Sequence, residues 1–192
     1  MAKKESTFIN MVVTLFVVTL VASTALAYVY ELTKEPIEAA KLAKKLLAID
    51  AVVPEYDNQI IDDMFKVAVG DGVDSLEFYP AKKGDELVGT AVRSFTNTGY
   101  NGLVVLMVGI LPDGTIRDIQ VVEHKETPGL GTKMADPKFK DQFKAMDPEQ
   151  VDIRVVKDGG DIDAITAATI SSRAFSLATQ LAVDTYKKGG TQ

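Results

Sequence analysis

The sequence contains no cysteine. That excludes disulfides, thiolate nucleophiles, cysteine-ligated iron–sulfur clusters, Cys-type zinc sites and haem attached through C-x-x-C-H. Histidine is almost as scarce: His124 is the only one and no H-E-x-x-H spacing exists, so a zinc site would need carboxylates to complete it. Basic excess is missing too. The 192 residues carry a formal charge of −6, and because Lys3, Lys4 and Glu5 together carry +1, everything after residue 30 carries −7. An acidic domain of this kind argues against a nucleic-acid partner. Internal repeats and low-complexity tracts are also lacking. Any redox chemistry here must use a cofactor held by something other than sulfur.

What is present begins with a long apolar run. Ser6 to Tyr30 is 25 residues without one Asp, Glu, Lys or Arg, long enough to cross a bilayer, which takes about 20 apolar residues. Tyr28 and Tyr30 suit a headgroup-level aromatic belt, and Lys3 and Lys4 supply a positive start. Ala25-Leu26-Ala27 also fits a signal-peptide cleavage pattern, but the run exceeds the ~7–15 residues of a signal h-region, which favours a retained anchor. Charge counting does not orient it: two lysines precede the run, yet Lys34, Lys41, Lys44 and Lys45 follow within about 15 residues, where the positive-inside count is taken. The expected organisation is a transmembrane anchor over 1–30, a helical stalk over 31–50 with Pro36 early in it, and a domain over 51–192.

In the stalk, Ile37, Ala40 and Leu47 recur near helical spacing, and Pro54 ends the helix. Residues 50–66 show no clear period. Strands are expected at Leu76–Tyr79 and Leu87–Phe95 around a hairpin loop at Ala81–Asp85. Leu103–Leu111 is continuously apolar, as in a strand buried on both faces. Pro112-Asp113-Gly114 turns the chain into Thr115–His124, whose irregular alternation allows a bulge. A short helix around Pro137–Ala145, a strand over Val151–Val156 and a final helix from Thr169 to Lys188 complete the pattern, with Ile170, Ala174, Leu177 and Leu181 on one face of the last. Strands first and a closing helix indicate an α+β fold with a mainly antiparallel sheet, preceded by one N-terminal transmembrane helix.

Two segments carry candidate chemistry. In His124-Lys125-Glu126-Thr127-Pro128-Gly129-Leu130-Gly131-Thr132-Lys133, Pro beside Gly fixes a turn, and two glycines let backbone approach a planar or anionic ligand closely; the same run also suits a plain surface turn. In Asp163-Ala164-Ile165-Thr166-Ala167-Ala168-Thr169-Ile170-Ser171-Ser172, small side chains and hydroxyls gather where a helix begins. Free N–H groups and the helix dipole make that position favourable to a phosphate, and Thr or Ser there is equally a common N-cap.

These two segments carry a resemblance. Asp163…Thr166-Ala167-Ala168-Thr169-Ile170-Ser171 is similar to the flavinylation motif of the FMN-binding domain family, and His124 to Gly131 resembles that family's other signature, in the same order along the chain. Within it, anchor and chain length are similar to the G-subunit family of Rnf ion-translocating ferredoxin:NAD oxidoreductase complexes; the C subunits of sodium-translocating NADH:quinone reductases are similar but usually longer. The resemblance covers the anchor and roughly residues 85–187, and departs where the family often has glycine and this chain has Ala167.

The resemblance implies FMN held covalently by a phosphoester to Thr169, attached by a separate flavin transferase that reads or relies on Asp163 and Thr166. Glu126, Thr127, Gly129, Leu130, Gly131 and Thr132 are then candidates for the isoalloxazine pocket, beside Ala168, Ile170 and Ser171. It further implies an electron relay in the cell (inner) membrane, single-pass, with its domain on the extracytoplasmic side and the other subunits of the complex as partners. No independent catalytic site or metal is expected. The anchor has no ionisable residue that would mark an ion path. Two alternatives stand beside this reading: a single-pass membrane module that binds a ligand or partner without covalent cofactor, and a stand-alone flavin carrier.

Overall fold

The computed structural model describes residues 7–70 and 74–189. Contacts divide the chain into residues 1–43 and 44–192. The first helix, α1, runs Phe8–Val52 and contains 45 residues. Among the described residues it is the one helix long and apolar enough to cross a membrane. Pro36 lies inside this helix rather than early in one as the sequence suggested. Proline leaves the carbonyl four residues earlier without its donor. The residues around it are exposed, so solvent can take that place. The helix ends before Pro54, as expected.

Within the second unit the core is an antiparallel meander. Strands β1 (Phe65–Val69), β2 (Asp74–Lys83), β3 (Glu86–Gly99), β4 (Gly102–Ile110) and β5 (Ile116–His124) lie in the order of the chain. The β2–β3 hairpin turns tightly at Gly84-Asp85, so Ala81 to Lys83, taken from sequence as loop, are strand. The apolar run of β4 is buried on both faces, as its composition requires. The bulge allowed in β5 is present, with register shifts opposite Val105/Leu106 and Gly109/Ile110.

Each face of the sheet is covered. On one, Leu76, Phe78, Val92, Leu106 and Val108 pack with Phe143 and with α3 (Thr169–Gly189) through Phe175, Ala178 and Ala182. On the other, Ala48, Ile49 and Val52 from the last turns of α1 pack on Tyr79, Ala81, Ala91 and Met107. Contact there is so close that a Cβ on Gly109 would fall 1.9 Å from the Val52 carbonyl oxygen. Leu47, which recurs near helical spacing with Ile37 and Ala40, is 70% exposed, because the face packed on the sheet is the one carrying Ala48, Ile49 and Val52.

Two further expectations are corrected. Val151–Val156 is not a strand of the sheet. Its backbone pairs locally: Asp161 N–H donates to the Asp152 carbonyl and Ile162 N–H to that of Arg154, with a single bridge at Val155–Ile162, before a 3-10 turn at Val156–Asp158. In α3 the buried face is Ser171, Ala174, Phe175, Ala178, Ala182 and Tyr186, while Ile170 and Leu177 are 46% and 53% exposed. Small residues are what close packing selects here: the Ser94 hydroxyl on β3 donates to the Ala178 carbonyl at 2.6 Å. The short helix expected around Pro137–Ala145, α2, spans Pro137–Lys140 and continues as a 3-10 turn to Phe143.

Candidate functional site

Three separate pieces of chain meet at one end of the sheet. They are the β3–β4 turn with Tyr100 and Asn101, the loop after β5, and the start of α3. Between them lies a cavity of about 490 Å³ lined by Tyr100, Glu126, Thr127, Leu130 and Gly131 on one side and residues 167–171 on the other, a volume in the roughly 300–1,000 Å³ range of small-molecule sites.

Glu126 holds the pieces together. It is 5% exposed. Its Oε2 accepts the Ser171 hydroxyl at 2.7 Å and its Oε1 the Asn101 N–H at 3.3 Å, so a buried polar group is satisfied from both neighbouring segments. The Asn101 amide donates in turn to the Lys125 carbonyl at 2.9 Å and to the Thr127 hydroxyl at 3.4 Å. Gly131 is required by space: a Cβ there would fall 2.4 Å from Glu126 Oε2 and 2.5 Å from Ser171 Oγ. Gly129 is required by conformation, with φ +76°. His124 stands behind, its Nδ1 accepting the Glu126 N–H at 3.2 Å.

The α3 side is shaped by a turn. Ala168 N–H donates to the Ile165 carbonyl at 3.0 Å and Ala167, third in that turn, has φ +63°, the conformation a type II turn requires and glycine adopts most readily. Alanine there is strained by about 1–2 kcal/mol. The Ala168 carbonyl accepts the Ser172 N–H at 3.0 Å, so Ala168 is the N-cap and Thr169 the first residue inside the helix. Thr169 therefore does not hold the N-cap position. Its Oγ1 instead accepts a hydrogen bond from Lys157 Nζ at 3.1 Å. Ser172 ties the preceding turn to the helix, its Oγ accepting the Ile165 N–H at 2.9 Å and donating to the Ala168 carbonyl at 3.0 Å.

Of the residues singled out from sequence, Glu126, Thr127, Leu130, Gly131, Ala168, Thr169, Ile170 and Ser171 line this cavity. Gly129 and Thr132 lie behind it, where Gly129 N–H donates to Thr132 Oγ1 at 3.0 Å. Asp163 and Thr166 line a different cavity of about 410 Å³ with Lys133, Phe139 and Gln142. There the Gln142 side chain clamps the Asp163 backbone, accepting its N–H at 2.8 Å and donating to its carbonyl at 3.2 Å. Sequence reasoning missed Tyr100, Asn101 and Lys157. The Thr98-Gly99-Tyr100-Asn101-Gly102 run, an aromatic between glycines at a turn, was the available signal for the first two. Among the described residues no three His, Asp or Glu side chains come together as a metal-ligand set.

Against known proteins, the chain is 34% identical over 173 residues to the G subunit of the ion-translocating oxidoreductase complex of Erwinia tasmaniensis, covering 84% of this chain and 81% of that one. The chain belongs to this G-subunit family. It is 33% identical over 184 residues to the G subunit of the Na⁺-translocating ferredoxin:NAD⁺ oxidoreductase complex of Acetobacterium woodii, covering 90% and 88% of the two chains. Residues 99–184 match the FMN-binding domain, a span that contains every lining residue of the cavity. Its fold is shared with the C subunit of the Na⁺-translocating NADH-quinone reductase of Parabacteroides distasonis, with a TM-score of 0.52 at 20% identity over 74% of this chain and 80% of that one.

Proposed function

We propose that this chain is the electron-relay subunit of a membrane-bound ion-translocating ferredoxin:NAD oxidoreductase, anchored by residues 1–30 through a stalk at 31–50. Its domain, 51–192, lies on the extracytoplasmic side and carries FMN by a phosphoester on Thr169. The observation that carries the reading is the position of Thr169: one residue inside α3, at the wall of a cavity whose other lining residues match the FMN-binding domain.

The cavity suits the group. Tyr100, Leu130 and Ile170 present apolar surface, 66%, 41% and 46% exposed, to a planar ring, and Gly131 lines the same cavity. First-turn N–H groups and the helix dipole favour a phosphate at Thr169. Thr169 would hold the group through its hydroxyl oxygen: attachment from FAD would form an Oγ–P bond and break the pyrophosphate P–O bond, with AMP as the leaving group and the hydroxyl proton passing to the transferase. An aliphatic hydroxyl is a weak nucleophile, so activation comes from that enzyme, with Asp163 and Thr166 as its contact points in the neighbouring cavity. Bound FMN supplies one- and two-electron transfer, and the protein's part is to hold and orient it. Donors and acceptors are the other subunits of the complex.

The test is intact mass of the full chain isolated from a membrane that contains a flavin transferase. A gain of one FMN less water, with colour surviving denaturation, is expected; an unmodified, colourless chain would overturn the proposal.

A further inference from the structure

We infer that Lys157 is the built-in counter-charge of the Thr169 phosphoester. This rests on the covalent attachment proposed above and adds a residue that lies outside both sequence motifs. Lys157 Nζ donates to Thr169 Oγ1 at 3.1 Å from the 3-10 turn Val156–Asp158. The next residue of that turn, Asp158, takes a two-pronged grip on Arg173, accepting from Nε at 2.7 Å and from a terminal nitrogen at 2.6 Å. Thr169 and Arg173 are four apart on α3, so they lie on one face, one turn above the other. Two consecutive residues of the turn thus grip two consecutive levels of the helix.

The turn is itself fixed from below. Gly159, with φ +86°, closes it, and Gly160 packs so tightly that a Cβ would fall 2.1 Å from the Arg154 carbonyl oxygen. Arg173 is already neutralised by Asp158, whose carboxyl its guanidinium holds below the usual value. Among the described residues, the cation hydrogen-bonded to Thr169 is Lys157. An exposed ammonium gains little from a neutral hydroxyl, because ordering a lysine side chain offsets a single weak contact. A phosphodiester on Oγ1 places a full negative charge beside the same ammonium, in a charge-assisted contact of the kind lysine makes as a point charge. The same ammonium, beside the attacking oxygen, favours charge building there during attachment.

The experiment uses the full chain in detergent with a flavin transferase and FAD, comparing wild type with Lys157→Gln, Lys157→Arg and the control Lys66→Gln on β1. Initial rates of mass gain and the phosphorus-31 resonance of the finished phosphodiester are recorded. Lys157→Gln should slow attachment about tenfold, the equivalent of one charge-assisted hydrogen bond, and move the resonance. Lys157→Arg should restore most of the rate, and Lys66→Gln should match wild type in both readings. Attachment at the wild-type rate in Lys157→Gln with an unmoved resonance would overturn the role of Lys157 alone. Absence of any mass gain in wild type would instead overturn the covalent reading beneath it.

Discussion

Ser171 and Glu126, 45 residues apart in sequence, share one buried hydrogen bond of 2.7 Å that joins the loop after β5 to the first turn of α3. Ser171→Ala removes one of the two partners of a carboxylate that is 5% exposed. The expected loss of stability is about 1–3 kcal/mol, the range for a buried polar group left short of a partner. Thermal denaturation should show it; a melting temperature equal to wild type would show that the bond holds nothing.

Thr169→Ala should abolish the mass gain without unfolding the protein, because Thr169 makes one exposed side-chain hydrogen bond and does not hold the N-cap position. Thr169→Ser keeps a hydroxyl and should remain a substrate. Intact mass and circular dichroism check both; a flavin-bearing Thr169→Ala chain would assign the attachment elsewhere.

Ala167→Gly should stabilise the domain by up to about 1 kcal/mol. Relief of a left-handed alanine, about 1–2 kcal/mol, is partly offset by the greater freedom of an unfolded glycine. The same change in the reverse sense explains why a glycine suits this turn, since Ala167 sits at φ +63°. Denaturant midpoints decide it, and a lower midpoint for the glycine variant would contradict the strain.

How much of this was legible beforehand differs from element to element for physical reasons. β4 was readable because a strand covered on both faces must be apolar throughout. β1 alternates Phe65, Val67 and Val69 inward, but over only five residues the pattern covers too few positions to stand out. Val151–Val156 does bury alternate residues, Ile153 and Val155, yet its backbone is satisfied by residues 161 and 162 rather than by the sheet. The face of α3 was misjudged because Ser171, Ala174, Ala178 and Ala182 share the inward side with Phe175 and Tyr186, so bulk alone does not mark it, and Ile170 stays exposed on the cavity wall. At the site, the two motifs were visible because each is continuous in sequence. Tyr100, Asn101 and Lys157 come from other segments, and only folding brings them in.

Acidification should weaken the packing of the last turns of α1 on the sheet. Burial alone would raise the Glu77 carboxyl, but the Tyr79 hydroxyl at 2.5 Å, Lys45 at 3.4 Å and Arg93 outweigh it and hold it below its ordinary 4.5. A carboxylate favoured in the folded state contributes fully above its unfolded value, and that contribution disappears as pH falls through the lower folded value. Between about pH 5 and 3 the melting temperature should fall more steeply for wild type than for Glu77→Gln. Parallel curves would remove Glu77 from the account.

Gly109→Ala should be the most disruptive single methyl in the sheet. Its Cβ would stand 1.9 Å from the Val52 carbonyl oxygen and 2.8 Å from the Val52 Cβ, and forced overpacking of this kind costs about 1–3 kcal/mol. Denaturant unfolding of the variant measures it; unchanged stability would mean that the end of α1 can lift from the strand freely.

The cavity wall is assembled from a hairpin tip, a mid-chain loop and the opening turn of α3. On the proposed attachment, a nascent chain would present Thr169 only after all five strands have been made, and would have nowhere to lay a flavin until the meander is complete and α3 has docked. Maturation would then be tied to folding: a half-made subunit would offer a hydroxyl but no cradle, and a permanent yellow colour would mark the chains that finished.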